Sequence, residues 1–126
     1  MMIDYGEHYT QEDSLRGYKN HTQVSILSEP GHVDVTADVD FFACSQVFKK
    51  ADVAVVPLLT QKEFLLKMGL LSRVEKLLEQ DSVTEEQAEI IVEQCKKLIG
   101  DDPSHMGQRF KVLICTYPAL DIPSLV

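Results

Sequence analysis

At 126 residues the chain has the size of one domain and enough length to bury a core. A formal charge of -8 excludes the cationic groove that a nucleic-acid surface needs, and no apolar run approaches the ~20 residues that cross a bilayer. With 44% hydrophobic and 25% charged residues, the composition is that of a packed globular protein, not a disordered one.

The sequence opens on a short apolar strand over residues 1–5. At its C-terminal end stand Tyr5, Gly6 and Glu7, the place where open α/β sheets put their ligand sites. Residues 6–35 then read as a long polar loop, densest in polar groups from Arg16 to His21. Pro30-Gly31 marks a turn, and Asp34-Val35-Thr36 leads into a helix with Thr36 as N-cap. Val39, Phe42, Ala43 and Val47 supply that helix's buried stripe, and Lys49-Lys50 close it. Val53 to Leu59 is a valine-rich run that reads as a strand buried on both faces, with Pro57 limiting its ladder.

Thr60-Gln61-Lys62-Glu63 is a capping box that starts a helix carrying Phe64, Leu65 and Met68, and Gly69 stops it. A second helix follows with Leu71, Val74, Leu77 and Leu78 at helical spacing. Thr84-Glu85-Glu86-Gln87 is another capping box, opening a helix whose apolar face is Ala88, Ile91, Val92, Cys95 and Ile99. Gly100 ends it, and Asp101 to Ser104 form a turn. The acidic residues of the 75–102 region read as a solvated helical face. Lys111 to Tyr117 forms the last strand, which Pro118 ends, and residues 118–126 read as a C-terminal tail. Three strands with about four helices make one half of a doubly wound α/β sheet.

Few constellations carry chemistry. Cys44, Cys95 and Cys115 are too far apart and odd in number for a disulfide framework, and they favour a reducing interior. The six glycines form no phosphate loop, and the four histidines lack metal-ligand spacing. No serine or cysteine has a recognisable base. Asp34, Asp38 and Asp40 have two readings: a helix N-terminus stabilised by carboxylates, or an acidic rim that receives an arginine guanidinium. Glu7 beside Tyr5 extends that rim, and Arg16 is placed to pair with one of the acids. Met106 to Phe110 is either a tight loop or a substrate-facing edge that includes Arg109.

An ordered series of segments resembles one family. It runs Ile3-Asp4-Tyr5-Gly6, Leu15-Arg16-Gly17-Tyr18 with His21, and Asp34-Val35-Thr36-Ala37-Asp38-Val39-Asp40-Phe41. It continues through Thr60-Gln61, Phe64-Leu65, Met68-Gly69 and Arg73 to Met106-Gly107-Gln108-Arg109-Phe110-Lys111-Val112-Leu113. Together these resemble the C-terminal half of the MidA-like methyltransferases, and within them the mitochondrial arginine-methylating branch that assists assembly of respiratory complex I. The resemblance implies a class I, Rossmann-like sheet in which residues 1–126 are a partial methyltransferase domain. Its first strand would be the fifth of seven, Val53–Leu59 the sixth, and Phe110–Tyr117 the antiparallel seventh between them.

The resemblance also implies S-adenosylmethionine as cofactor, a mitochondrial location, and an arginine-containing protein substrate from a complex I core subunit. The family's glycine-rich cofactor loop and its ribose and strand-four acids have no counterpart here. The expectation is therefore a chain with no cofactor-binding or metal residues of its own, inactive alone. The alternative is a truncated, non-catalytic product that only binds the complex I subunit or its assembly partners. Tyr5 and Glu7 are the pocket residues by position, with Arg16, Asp38, Asp40 and Arg109 as substrate-binding candidates. A half sheet leaves an apolar edge unpaired, so an oligomer is expected when the chain stands alone.

Overall fold

The computed structural model describes residues 1–9 and 12–117; the expected tail at 118–126 lies outside the described residues. The elements run β1 (Met2–Glu7), β2 (Arg16–Lys19), β3 (Thr22–Val24), β4 (Asp34–Thr36), β5 (Val39–Asp40), α1 (Phe41–Lys50), β6 (Ala54–Val55) and β7 (Leu59–Thr60). Then follow α2 (Gln61–Lys67), α3 (Leu70–Leu78), α4 (Glu85–Ile99), β8 (Phe110–Leu113) and β9 (Cys115–Thr116). The four helices match the expected number, and the sheet is mixed.

The central sheet has the order β5-β1-β8-β7. β8 is antiparallel to both neighbours, facing β1 from Met2↔Leu113 to Tyr5↔Phe110 and β7 at Leu59↔Val112. The last strand thus lies between the first strand and the 54–60 segment, the placement implied by the resemblance. The single strand expected over Val53–Leu59 is split by Pro57, which has no N–H to give to a ladder. β6 pairs with β9, β7 with β8, and the Val56 N–H bridges the break by donating to the Ile114 carbonyl at 2.9 Å. That segment is half-buried, not buried on both faces as its valines suggested; Leu59 alone is fully inside. Leu59, Val112 and Ile114 form a core cluster capped by Val56 and Phe64. Leu113 faces Phe41 and Ser45 of α1 across a small cavity.

The stretch expected as an irregular loop over residues 6–35 contains a three-stranded antiparallel sheet in the order β3-β2-β4. Its hairpin turns at Asn20 and His21, both at positive φ (48° and 61°), between the paired residues Lys19 and Thr22. That is the two-residue primed turn whose twist matches a hairpin, built here without glycine.

The first helix also begins later than its sequence suggests. Thr36 belongs to β4, and the N-cap is Asp40, whose Oδ1 accepts a hydrogen bond from the Ala43 N–H at 2.8 Å. β5 consumes Val39 and Asp40 by pairing parallel with Gly6 and Glu7, so helix can start only at Phe41. The delay rotates the buried face onto Phe41 and Ser45, leaving Phe42 and Val47 47% and 65% exposed.

Both capping boxes form as expected, Thr60 with Glu63 and Thr84 with Gln87. Gly69, at φ +79°, breaks α2 from α3 in a backbone conformation that glycine adopts freely. Among the described residues no helix is long and apolar enough to cross a membrane.

A polar cavity at the end of the first strand

Parallel pairing with β5 reaches only the last two residues of β1, and that close approach is what shapes the site. A Cβ on Gly6 would stand 2.1 Å from the Val39 carbonyl oxygen, so only glycine lets the two strands meet. Where they meet, Tyr5, Gly6, Glu7, Arg16, Asp38 and Arg109 line an open cavity of about 180 Å³. Five of the six residues expected to serve the site from sequence are therefore brought together. Asp40 is not among the lining residues; its carboxylate caps α1.

Each wall has an identifiable support. Tyr5 sits directly across the ladder from Phe110, and their rings stack in a tilted arrangement with centroids 4.1 Å apart. On Tyr5 in turn lies the Arg109 guanidinium, its Cζ 5.2 Å from the ring centroid, within cation–π range. The preceding turn, read as either loop or substrate-facing edge, thus places Arg109 at the cavity. Arg16 and Asp38 form an ion pair across the opposite wall. Ser14 fixes both partners: its carbonyl accepts from Arg16 Nε at 3.0 Å, and its hydroxyl oxygen accepts from the Asp38 N–H at 3.2 Å.

Lys111 is the residue that sequence reading missed. It lies in the middle of β8 at only 9% exposure, and its Nζ stands 3.0 Å from Glu7 Oε1. The same ammonium donates to the Gln108 carbonyl at 2.6 Å. A lysine in a strand reads as a surface residue, and its partner is 104 residues away, so no local signal marked it. Both carboxylates at the cavity are consequently held by cations of the chain itself, Glu7 by Lys111 and Asp38 by Arg16. The expected acidic rim is in fact a balanced set of paired charges.

Carboxyl groups with lowered pKa values lie elsewhere. Glu63 is lowered by hydrogen bonds from Thr60, and Asp101 by hydrogen bonds from Lys62 and Gln108. A roomier cavity of about 540 Å³ between α3 and α4 is lined mainly by Leu71, Val74, Val92, Cys95 and Ile99. Its lining also includes Lys96, Asp101, Asp102 and His105. Among the described residues no cluster of three His, Cys, Asp or Glu side chains is placed to hold a metal. The small cavity at the end of β1 joins two carboxylates, two guanidinium groups and an aromatic ring.

Comparison with known proteins shows what the chain is similar to. Residues 1–58 match the family of S-adenosyl-L-methionine-dependent methyltransferases numbered 28. The mitochondrial protein arginine methyltransferase NDUFAF7 homolog of Caenorhabditis elegans is 39% identical over 112 residues, covering 88% of this chain and 25% of the relative. Its counterpart in Xenopus tropicalis is 37% identical over 111 residues, again 88% of this chain and 25% of the relative. A crystal structure from Burkholderia thailandensis, bound to S-adenosyl-homocysteine, superposes with a TM-score of 0.75 at 26% identity. That match covers 90% of this chain and 30% of the bacterial one. The chain thus spans about a quarter of the length of the curated relatives it matches. In strand order and in these matches, the chain is similar to one stretch of the MidA-like S-adenosylmethionine-dependent methyltransferases.

Proposed function

We propose that this chain forms the substrate-facing part of a mitochondrial protein-arginine N-methyltransferase that acts in complex I assembly. The observation that carries the reading is the cavity itself. It joins an aromatic face, Tyr5, to the carboxylates of Glu7 and Asp38 at the C-terminal end of β1. A guanidinium is planar, and it is recognised by stacking on a ring and by two-pronged hydrogen bonding to carboxylate. The Arg109 guanidinium lies over Tyr5, and this supports the ring as a surface for such a group.

The cavity is small and polar, which suits a guanidinium. In this reading S-adenosylmethionine is held by sequence that the relatives carry beyond the matched quarter. The cofactor, when bound, supplies an electrophilic methyl group. The residues of this chain bind the target arginine and orient one guanidinium nitrogen, which is the contribution of alignment to catalysis. The substrate belongs to complex I in this reading, as the function of the family's mitochondrial branch implies.

A chimera tests the proposal: this chain replaces the matching segment of the Caenorhabditis elegans relative. The expected results are methylarginine formation on arginine peptides by the chimera and no S-adenosylmethionine binding by the isolated chain in calorimetry. A folded chimera that binds the cofactor but leaves arginine unmodified would overturn it.

A further inference from the structure

We infer that Lys111 is a positioning residue for guanidinium binding, acting through Glu7. The inference rests on the reading of the cavity given under Proposed function. It starts from the cost of the residue. Lys111 stands on β8, hydrogen-bonded on both sides by β1 and β7, between Phe110 and the buried Val112. Burying an ammonium there is expensive, and an apolar side chain of similar volume would serve a purely structural role as well or better. Its burial is matched by what it holds.

One ammonium ties two pieces of the site together. It donates to Glu7 Oε1 at the end of β1 and to the Gln108 carbonyl in the turn before β8, while its own backbone lies opposite Asp4. The Gln108 contact fixes the turn that carries Arg109 to the Tyr5 ring. The Glu7 contact engages Oε1 and so restricts the orientation in which the carboxylate meets an incoming guanidinium. Glu7 is about one-third exposed and would otherwise sample several rotamers.

Lys111 also sets the strength of that interaction. Its positive charge beside Glu7 opposes the binding of a second cation, so alignment is obtained at the expense of affinity. The two effects separate in kinetics. In the chimera, Lys111→Met should lower kcat on an arginine peptide about a hundredfold through misalignment. The KM for that peptide should stay level or fall, because a competing cation is gone. The affinity for S-adenosylmethionine should not change.

Glu7→Gln and the double variant complete the test. If Lys111 acts through Glu7, the double variant is no slower than Glu7→Gln alone. Thermal melting of every variant separates loss of fold from loss of alignment, and Lys111→Arg, which keeps the charge, should recover part of kcat. A KM that rises in step with the fall in kcat, or losses that multiply in the double variant, would overturn the inference while leaving the methyltransferase reading intact. An unsubstituted chimera that folds, binds cofactor and methylates no arginine sinks both.

Discussion

Arg16 on β2 and Asp38, in the step between β4 and β5, form an ion pair that joins the small antiparallel sheet to the end of the central one. Their side chains are 27% and 17% exposed, so the pair is shielded enough to matter and wet enough not to cost its own desolvation in full. Arg16→Met leaves Asp38 without its cation, and the loss should be about 2 kcal/mol of stability. The same substitution should speed amide exchange at Tyr18 and Lys19, whose strand it unpins, while Val112 and Leu113 stay protected. Uniform loss of protection across both sheets would count against a local role for the pair.

Gly6→Ala should be far more damaging than a glycine substitution in an open turn. The added methyl meets the backbone of Val39, which cannot rotate away as a side chain can. A loss of about 3 kcal/mol or more follows if β5 is pushed off β1. Gly31→Ala is the control: it has open space around it, so only its positive φ of 85° counts against it. Denaturant melts of the two variants should differ clearly, and equal midpoints would refute the close-approach account.

The capping box at α2 gives a pH-dependent prediction. The Thr60 N–H and hydroxyl donate to Glu63 Oε2 at 2.8 and 2.9 Å, and these bonds hold the Glu63 carboxyl below its ordinary pKa. A carboxyl lowered in the folded state stabilises the fold above its unfolded value of about 4.3, and loses that effect as pH falls through the folded value. Thr60→Ala should cost about 1 kcal/mol at neutral pH and less in acid. Glu63→Gln should flatten the acid limb of the melting temperature. An unchanged acid limb in Glu63→Gln would exclude this carboxyl as its source.

The outer edge of β1 makes a prediction about association. β5 pairs only with Gly6 and Glu7, so on that side no strand among the described residues pairs with Met2 to Tyr5. Ile3 and Tyr5 on this strand are 45% and 40% exposed. An open edge with apolar side chains invites pairing with another chain, and a charge on it is the usual defence. Sedimentation of the isolated chain should therefore show self-association, which Ile3→Lys reduces. A monomer at all concentrations before substitution would refute it.

The parts of the fold legible in sequence are those governed by near neighbours. Both capping boxes announce themselves as Thr-x-x-Glu and Thr-x-x-Gln, and the break at Gly69 follows from one residue's backbone freedom. What escaped notice depends on distant partners or on unusual turn chemistry. The β2–β3 hairpin turns on Asn20-His21, where a glycine would have signalled it, and its strands are only four and three residues long. The start of α1 is set by the pairing of Val39 with Gly6, not by the local Thr36. Similarly, Tyr5, Glu7, Arg16, Asp38 and Arg109 could be named from type and position. That the carboxylates are paired internally could not, because Lys111 reaches Glu7 from the far end of the chain.

That long separation also governs the order in which these strands can pair. The pairing of β1 with β8 sets Met2 against Leu113, so β1 finds this ladder partner only after the segments between them, from β2 to α4, have been synthesised. Contacts of such long sequence separation are slow to form, since the whole intervening chain must be closed into a loop. The helices and the β2–β4 sheet are local and can form early. The β1–β8 ladder, with the cavity residues at its end, forms after them.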